Sequence, residues 1–189
     1  MPRVSFCIPT HDGNARCQNY LFDIFHALSQ QTNKDFNVWV SDHSESDKII
    51  NACTEYADLF EIMYVPNDKK KGNISANTNN ALQNADGEIL KVLFSDDFIL
   101  TNSLVEELNK AFTDDVKWAV TGYAHTVDDG NTHYNPKVPY YNDKLLEGVN
   151  TLSSPSILAL KRGIDMYFDE DLTMLMDCDM SVSYTHLRA

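Results

Sequence analysis

Gly87-Glu88-Ile89-Leu90-Lys91-Val92-Leu93-Phe94-Ser95-Asp96-Asp97 is the stretch on which the fold turns. A glycine opens it, a largely apolar run follows, and two adjacent carboxylates close it. A short apolar run bounded by turn residues reads as a buried strand of a layered α/β protein. Carboxylates that close raise each other's pKa unless a cation or hydrogen-bond donors intervene. A hard divalent cation is the usual remedy, and Mg2+ or Mn2+ commonly takes one or two carboxylates together with substrate phosphates. The pair therefore points to a metal-dependent site for a phosphorylated ligand. The alternative is structural: Asp97 caps the next helix and Asp96 is solvated.

Upstream, Val4–Ile8 reads as a buried strand stopped by Pro9, followed by a polar loop from His11 to Asn14. Tyr20, Leu21, Ile24, Phe25 and Leu28 recur at helical spacing up to about Ser29. Phe36–Val40 is a second strand, ending in Ser41-Asp42-His43-Ser44. A second helix carries Ile49, Ile50, Cys53, Tyr56 and Ala57, and Ile62–Val65 is a third strand. The charged loop Asp68–Gly72 leads to a polar helix, Ile74 to Asn84, with Ile74, Ala81 and Leu82 on its inner face. Downstream, Leu104, Val105, Leu108, Ala111 and Phe112 define another helix, and Trp118–Tyr123 another strand.

This alternation predicts an α/β fold with a mostly parallel sheet and helices on both faces. Ligands in such sheets bind at the carboxyl ends of the strands. Pro9-Thr10-His11, Ser41-Asp42-His43 and Ser95-Asp96-Asp97 all fall there. Residues 124–150 are irregular, with a strong turn signal at Asp128-Asp129-Gly130-Asn131. They read either as a lid or acceptor-side loop or as a β-hairpin insertion. Leu152–Leu160 is a further strand entered through Ser153-Ser154-Pro155, and a last helix is expected at Asp177-Cys178-Asp179. The chain divides into residues 1–123, residues 124–182 of the same domain, and a tail, 183–189, that resembles a translated adapter. The expectation is that the native protein continues beyond it.

The 189 residues suffice for one domain. Lys plus Arg number 15 against 28 Asp plus Glu, a formal charge of −13. Such a chain has little general attraction for nucleic acid or anionic membrane, so an anionic ligand needs a local donor cluster or a metal. Cys7, Cys17, Cys53 and Cys178 form no C-x-x-C pair and lack zinc-site spacing, which favours reduced core thiols. Pro9-Thr10-His11-Asp12 interrupts the first apolar run too early for a signal peptide. No stretch approaches the ~20 apolar residues of a membrane span. The expected location is cytoplasmic, or peripheral to a membrane.

In this order the motifs resemble those of the family 2 nucleotide-sugar glycosyltransferases, which have the GT-A, Rossmann-like fold. Val4-Ser5-Phe6-Cys7-Ile8-Pro9-Thr10-His11-Asp12 is similar to the family's opening strand and Pro-Thr-Tyr-Asn-like turn. Ser41-Asp42-His43-Ser44 resembles its Asp-Asp-Gly-Ser-like turn. Gly72-Asn73-Ile74-Ser75-Ala76-Asn77-Thr78-Asn79-Asn80 resembles its Gly-x-Ser-x-Ala-x-Asn-like helix start, and Gly87-Glu88-Ile89 leads to Asp96-Asp97 as its DxD-type motif. The match covers roughly residues 3–112 and, more loosely, 150–180.

The resemblance implies transfer of a sugar from a UDP- or GDP-sugar to a hydroxyl of a glycan or other acceptor. Pro9, Thr10 and His11 would line the base pocket and Asp42 would hydrogen-bond the base. Asp96 would face the ribose or sugar, with Lys71, Asn79 and Ser95 among the nucleotide-sugar contacts. Asp97 would ligate Mn2+ or Mg2+. Met176-Asp177 falls at the family's late acidic motif, making Asp177 the candidate base and Asp179 the second. One metal carboxylate and a separate base carboxylate imply single displacement with inversion. Three positions depart from the pattern: Ser41 replaces the first turn aspartate, Thr78 an arginine, and Phe94 the first acidic residue of the metal motif. Lys69, Lys70 or Lys71 could replace the missing arginine. Two alternatives stay open, a nucleotide-sugar-binding module without transfer and a nucleotidyltransferase, although Thr10–Arg16 has only Gly13 where the latter needs a glycine-rich basic loop. A phosphorylation receiver domain would place its acidic pair after the first strand.

Overall fold

The structure is a computed structural model describing residues 3–13, 15–140, 142–147, 149–165, 167–172 and 176–186. Its strands are β1 (Val4–Thr10), β2 (Phe36–Asp42), β3 (Ile62–Pro66), β4 (Ile89–Val92), β5 (Trp118–Val120), β6 (Tyr123–His125), β7 (Tyr134–Lys137) and β8 (Leu158–Lys161). Its helices are α1 (Cys17–Ser29), α2 (Lys48–Tyr56), α3 (Ile74–Asn84), α4 (Leu104–Ala111) and α5 (Met176–His186). The main sheet has the order β3-β2-β1-β4-β8-β5. The first four of these strands are mutually parallel, and β8 lies antiparallel to both β4 and β5. Strand order reverses at β1, which has β2 on one side and β4 on the other. In an open α/β sheet that reversal creates a crevice outside the carboxyl ends of the two strands.

Side-chain alternation distributes each strand between two cores. Val4, Phe6 and Ile8 of β1 join Val38 and Val40 of β2 on one face, where α1, α2 and α4 pack. Cys7, Leu90 and Val92 face the other way, toward Ala81 and Leu82 of α3 and Met176 and Met180 of α5. Helices therefore cover both faces. In α1 the buried positions Cys17, Leu21, Ile24, Phe25 and Leu28 form one stripe. Phe25 contacts Tyr56 and Phe60, tying α1 to α2 and to the approach to β3. Each such fully buried apolar side chain contributes ~1.5–3 kcal/mol from area removed from water.

Several boundaries differ from expectation. β1 runs through Pro9 to Thr10 in register with Ser41 and Asp42, so the proline does not stop the strand. Trp118–Tyr123 is not one strand. It breaks at Thr121-Gly122, with β5 in the main sheet and β6 in a two-stranded sheet with β7. Of the two readings for 124–150, the hairpin insertion is present. Leu152–Leu160 is strand only from Leu158, because Ser154 caps a 3-10 turn at Pro155–Ile157. Ile74 is 39 % exposed rather than inward. All four cysteines are free and buried. Helix α5 continues through His186, and residues 187–189 of the expected tail lie outside the described residues.

Candidate active site

Parallel strands bring three polar termini to one edge. A cleft of about 540 Å3 opens there, lined by Pro9, Thr10 and His11 after β1, by Ser95 and Asp96 after β4, and by Asn77 of α3. Cys17, Tyr20, His43, Gly72, Ile74 and Phe94 complete its wall. A second cleft of about 450 Å3 adjoins it, walled by Asp96, Asp97 and Phe98, by residues 121–126, and by Ser153, Ser154 and Ser156. Asp96 lines both clefts. The second space exists because β8 is antiparallel. Its entry, Ser154–Ile157, comes to the same edge as the exits of β4 and β5.

The acidic pair does not cap a helix. Helix α4 has Ser103 at its N-cap, and Asp97 N–H donates to the carbonyl of Phe94 in a tight turn. Asp96 borders open space, but the cleft walls desolvate its carboxylate and the Asp97 charge adds repulsion, so its pKa lies above the usual value. Asp97 Oδ2 accepts a hydrogen bond from Ser154 Oγ at 2.9 Å. Among the described residues no lysine or arginine forms an ion pair with either carboxylate. Two crowded carboxylates without an ion-pair partner beside a cleft suit a hard divalent cation, which keeps several water or phosphate ligands and needs only one or two from protein. No group of three or more His, Cys, Asp or Glu able to hold a metal by itself occurs among the described residues.

The other expected residues divide. Asp42 is buried behind the cleft floor: Oδ1 accepts from Thr10 Oγ1 at 2.9 Å and from Ser44 N at 3.0 Å, and Oδ2 accepts from Tyr64 Oη at 2.9 Å. It holds Thr10 in place and does not line the cleft. Asn79 is also outside the lining. Its amide nitrogen donates to Phe168 O and Glu170 Oε1, and its oxygen accepts from Phe168 N. Lys71 lies beside the lining residue Gly72, with Glu45 at 3.7 Å and Asp68 at 3.6 Å. Lys70 is 2.9 Å from Glu170. His43 Nε2 is 3.2 Å from the carbonyl of Lys69. A carbonyl only accepts, so Nε2 carries the proton, and burial, the largest cause, lowers the imidazole's pKa and favours the neutral ring. Asp177, in the first turn of α5, lines neither cleft but a small space behind Ser153 and Ser154; its Oδ2 accepts from Asn150 Nδ2 and its Oδ1 from Cys178 N. Asp179 is exposed on the same helix.

Two residues escaped the sequence reading. Asn77 donates to the carbonyls of Thr10 and Ser41 and accepts from Ser41 Oγ, fastening the ends of β1 and β2. Its signal was a run of asparagines in a helix, a residue type that favours caps and turns unless its side chain has a dedicated partner. Lys91 is 2 % exposed in the middle of β4. Its Nζ donates to the carbonyls of Val92, Ser156 and Leu158. Burial lowers its pKa to about 7, against the Asp97 charge, which raises it.

Three comparisons with known proteins accord with this architecture. The model of the family described as glycosyl transferase family 2 matches residues 5–166. A GalNAc(5)-diNAcBac-PP-undecaprenol beta-1,3-glucosyltransferase of Campylobacter jejuni is 30 % identical over 126 residues. The match takes in 66 % of this chain but 37 % of that protein, so the chain spans little more than a third of this relative's length. Among solved structures, S. aureus TarS 1-349 in complex with UDP superposes with a TM-score of 0.71 at 20 % identity, over 95 % of this chain and 54 % of that one. The mannosyltransferase PcManGT from Pyrobaculum calidifontis, in complex with GDP-Man and Mn2+, gives 0.65 at 19 % identity, over 96 % and 51 %. At those identities the likeness shows a common GT-A fold.

Proposed function

The chain belongs to glycosyl transferase family 2, and from that premise we propose that it transfers a sugar from a nucleoside diphosphate donor to an acceptor hydroxyl, with a divalent cation and inversion at the anomeric carbon. The observation that carries this reading is the position of Asp96 on the rim shared by two clefts, with Asp97 beside it. The larger cleft takes the nucleotide and the adjoining one the acceptor. Thr10, buttressed by Asp42 and Asn77, shapes the floor under the nucleotide. His43, with Nε2 engaged by Lys69 O, contributes to the wall of the same cleft. Asp97 would hold Mn2+ or Mg2+, which when bound neutralises the charge that gathers on the leaving diphosphate, and Asp96 would face the ribose or sugar. Asp177 accepts the proton of the acceptor hydroxyl as the new bond forms. It stands in the first turn of α5. Asp179 is the reserve base. The relative's lipid-linked name supports an acceptor presented at a membrane surface, although among the described residues no helix is long and apolar enough to cross one.

Calorimetric titration with UDP, GDP and their sugars, with and without Mn2+, tests the donor and the metal. A panel of those sugars with simple hydroxyl acceptors tests transfer. Asp97→Ala should abolish metal-dependent nucleotide binding, whereas Asp177→Asn should retain binding and lose transfer. Normal transfer by the second variant would remove the base assignment.

A further inference from the structure

Between the two carboxylates assigned above runs a short turn, Asn150 to Ser154. Asn150 builds it: Oδ1 accepts from Leu152 N at 2.9 Å and from Ser153 N at 2.8 Å, and Nδ2 donates to Ser153 O at 2.9 Å. The same Nδ2 also donates across to Asp177 Oδ2. At the other end Ser154 has one hydroxyl proton, and it goes to Asp97 Oδ2. Ser154 Oγ accepts in turn from Ser156 N at 3.2 Å, and Ser156 Oγ accepts from Phe94 N at 2.7 Å, tying the turn to the exit of β4. From underneath, Lys91 grips the carbonyls of Ser156 and Leu158. Between the two ends Ser153 has φ 104°, a backbone conformation that L side chains rarely adopt.

We propose that Asn150 and Ser154 are positioning residues that hold Asp97 and Asp177 in one rigid frame, so that the metal side and the base side of the displacement stay aligned. This rests on the assignment of Asp97 as metal ligand and Asp177 as base. A turn serving only to connect two short 3-10 segments has no need to spend its polar hydrogens on carboxylates from distant parts of the chain. Hydrogen bonds to a carboxylate are stronger than neutral ones, and a partner fixed on one oxygen decides where the other oxygen points. Outer partners of metal-ligating groups typically matter 10–100-fold in metal affinity or activity. The frame also predicts communication. Removing Asn150, which touches only the Asp177 end, should loosen the Asp97 end through Ser153.

The test is binding of UDP or GDP, whichever the parent takes up in Mn2+, measured by calorimetry on the intact chain. Ser154→Ala should weaken Mn2+-dependent binding about 10-fold and leave metal-free binding unchanged. Asn150→Ala should weaken it by several-fold, and the double variant should be no worse than Ser154→Ala, because both act through one turn. Ser154→Thr, which keeps the hydroxyl, should recover most of the loss, separating orientation from folding. Each variant is first matched to the parent in thermal melting. A folded Ser154→Ala with parental Mn2+-dependent affinity overturns the inference while leaving the function in place. So does strict additivity in the double variant. If Asp97→Ala itself retains metal-dependent binding, or the parent binds neither nucleotide, the underlying assignment fails first and the frame with it.

Discussion

Lys91 shows how much one residue can carry inside a strand that otherwise reads as apolar. Ile89 and Leu93 pack in the core on its own face of β4, where a third aliphatic side chain would be expected. Instead an amine is surrounded by three carbonyl oxygens. Three acceptors match the three hydrogens of an ammonium, and Asp97 adds attraction, while burial disfavours the charge. The balance leaves the pKa at about 7, below the ordinary 10.5. The sign for stability follows. Between those two values the unfolded chain binds more protons than the folded one, so this group makes stability rise with pH across that window. Lys91→Met removes that slope. The melting temperature of the variant minus that of the parent should therefore be largest near about pH 6 and fall steadily toward about pH 9.5. A difference that stays flat with pH would show that Lys91 does not lose its proton on folding. The run Ile89–Phe94 was legible as a strand because one lysine does not disturb its hydrophobicity. The lysine's role was not, because two of its three partners lie on β8 and its entry, far along the chain.

At the scale of elements, α3 is where local pattern and tertiary purpose part. Its limits were legible to the residue, since Asn73 accepts from Ala76 N as an N-cap and Asp86-Gly87 follows its end. Its buried face was not. The helix buries Ser75, Asn77, Thr78 and Asn79 beside Ala76, Ala81 and Leu82, while Ile74 faces the cleft. An apolar-periodicity argument fails on a helix whose inner face is polar because it fastens other segments by hydrogen bonds. Asn77 fastens β1 to β2, and Asn79 fastens residues 168–170 ahead of α5. Asn79→Ala leaves the Phe168 N–H and carbonyl without partners in a buried place, at a cost of about 2–3 kcal/mol. The loss should appear as a lower urea midpoint together with faster hydrogen exchange at the Phe168 amide. Asn79→Asp should be at least as damaging, because it keeps one acceptor, loses both donors and adds charge beside Glu170. Unchanged exchange at Phe168 in Asn79→Ala would mean that the segment is held by packing alone.

For the molecule as a whole, the parallel half was legible, whereas of the antiparallel half only the strands and not their pairing were, for a physical reason. Strands that alternate with helices announce themselves by period and by turn residues. The insertion of β8 between β4 and β5 depends on pairing between distant segments, which no local pattern records. The break at Thr121-Gly122 is of the same kind, since Thr121 N donates to Ile157 O and a Cβ at Gly122 would lie 3.3 Å from the carbonyl of Lys137. Net charge is a whole-molecule property that local reading does capture, and it yields a test of how the nucleotide is held. The chain carries −13, and the lysines nearest the cleft are partly spent: Lys70 on Glu170, Lys71 on Glu45 and Asp68. An anionic nucleotide without metal therefore meets a repulsive field, which added salt screens over a Debye length that shortens from ~30 Å at 0.01 M to ~8 Å at 0.15 M. Metal-free UDP or GDP binding should tighten two- to threefold over that range of salt, and the trend should flatten in Mn2+. Binding that weakens with salt would instead mark a local cationic contact that outweighs the global charge. Lys71, beside Gly72 at the cleft wall, would then be the first residue to remove, and Lys71→Met should restore the tightening trend.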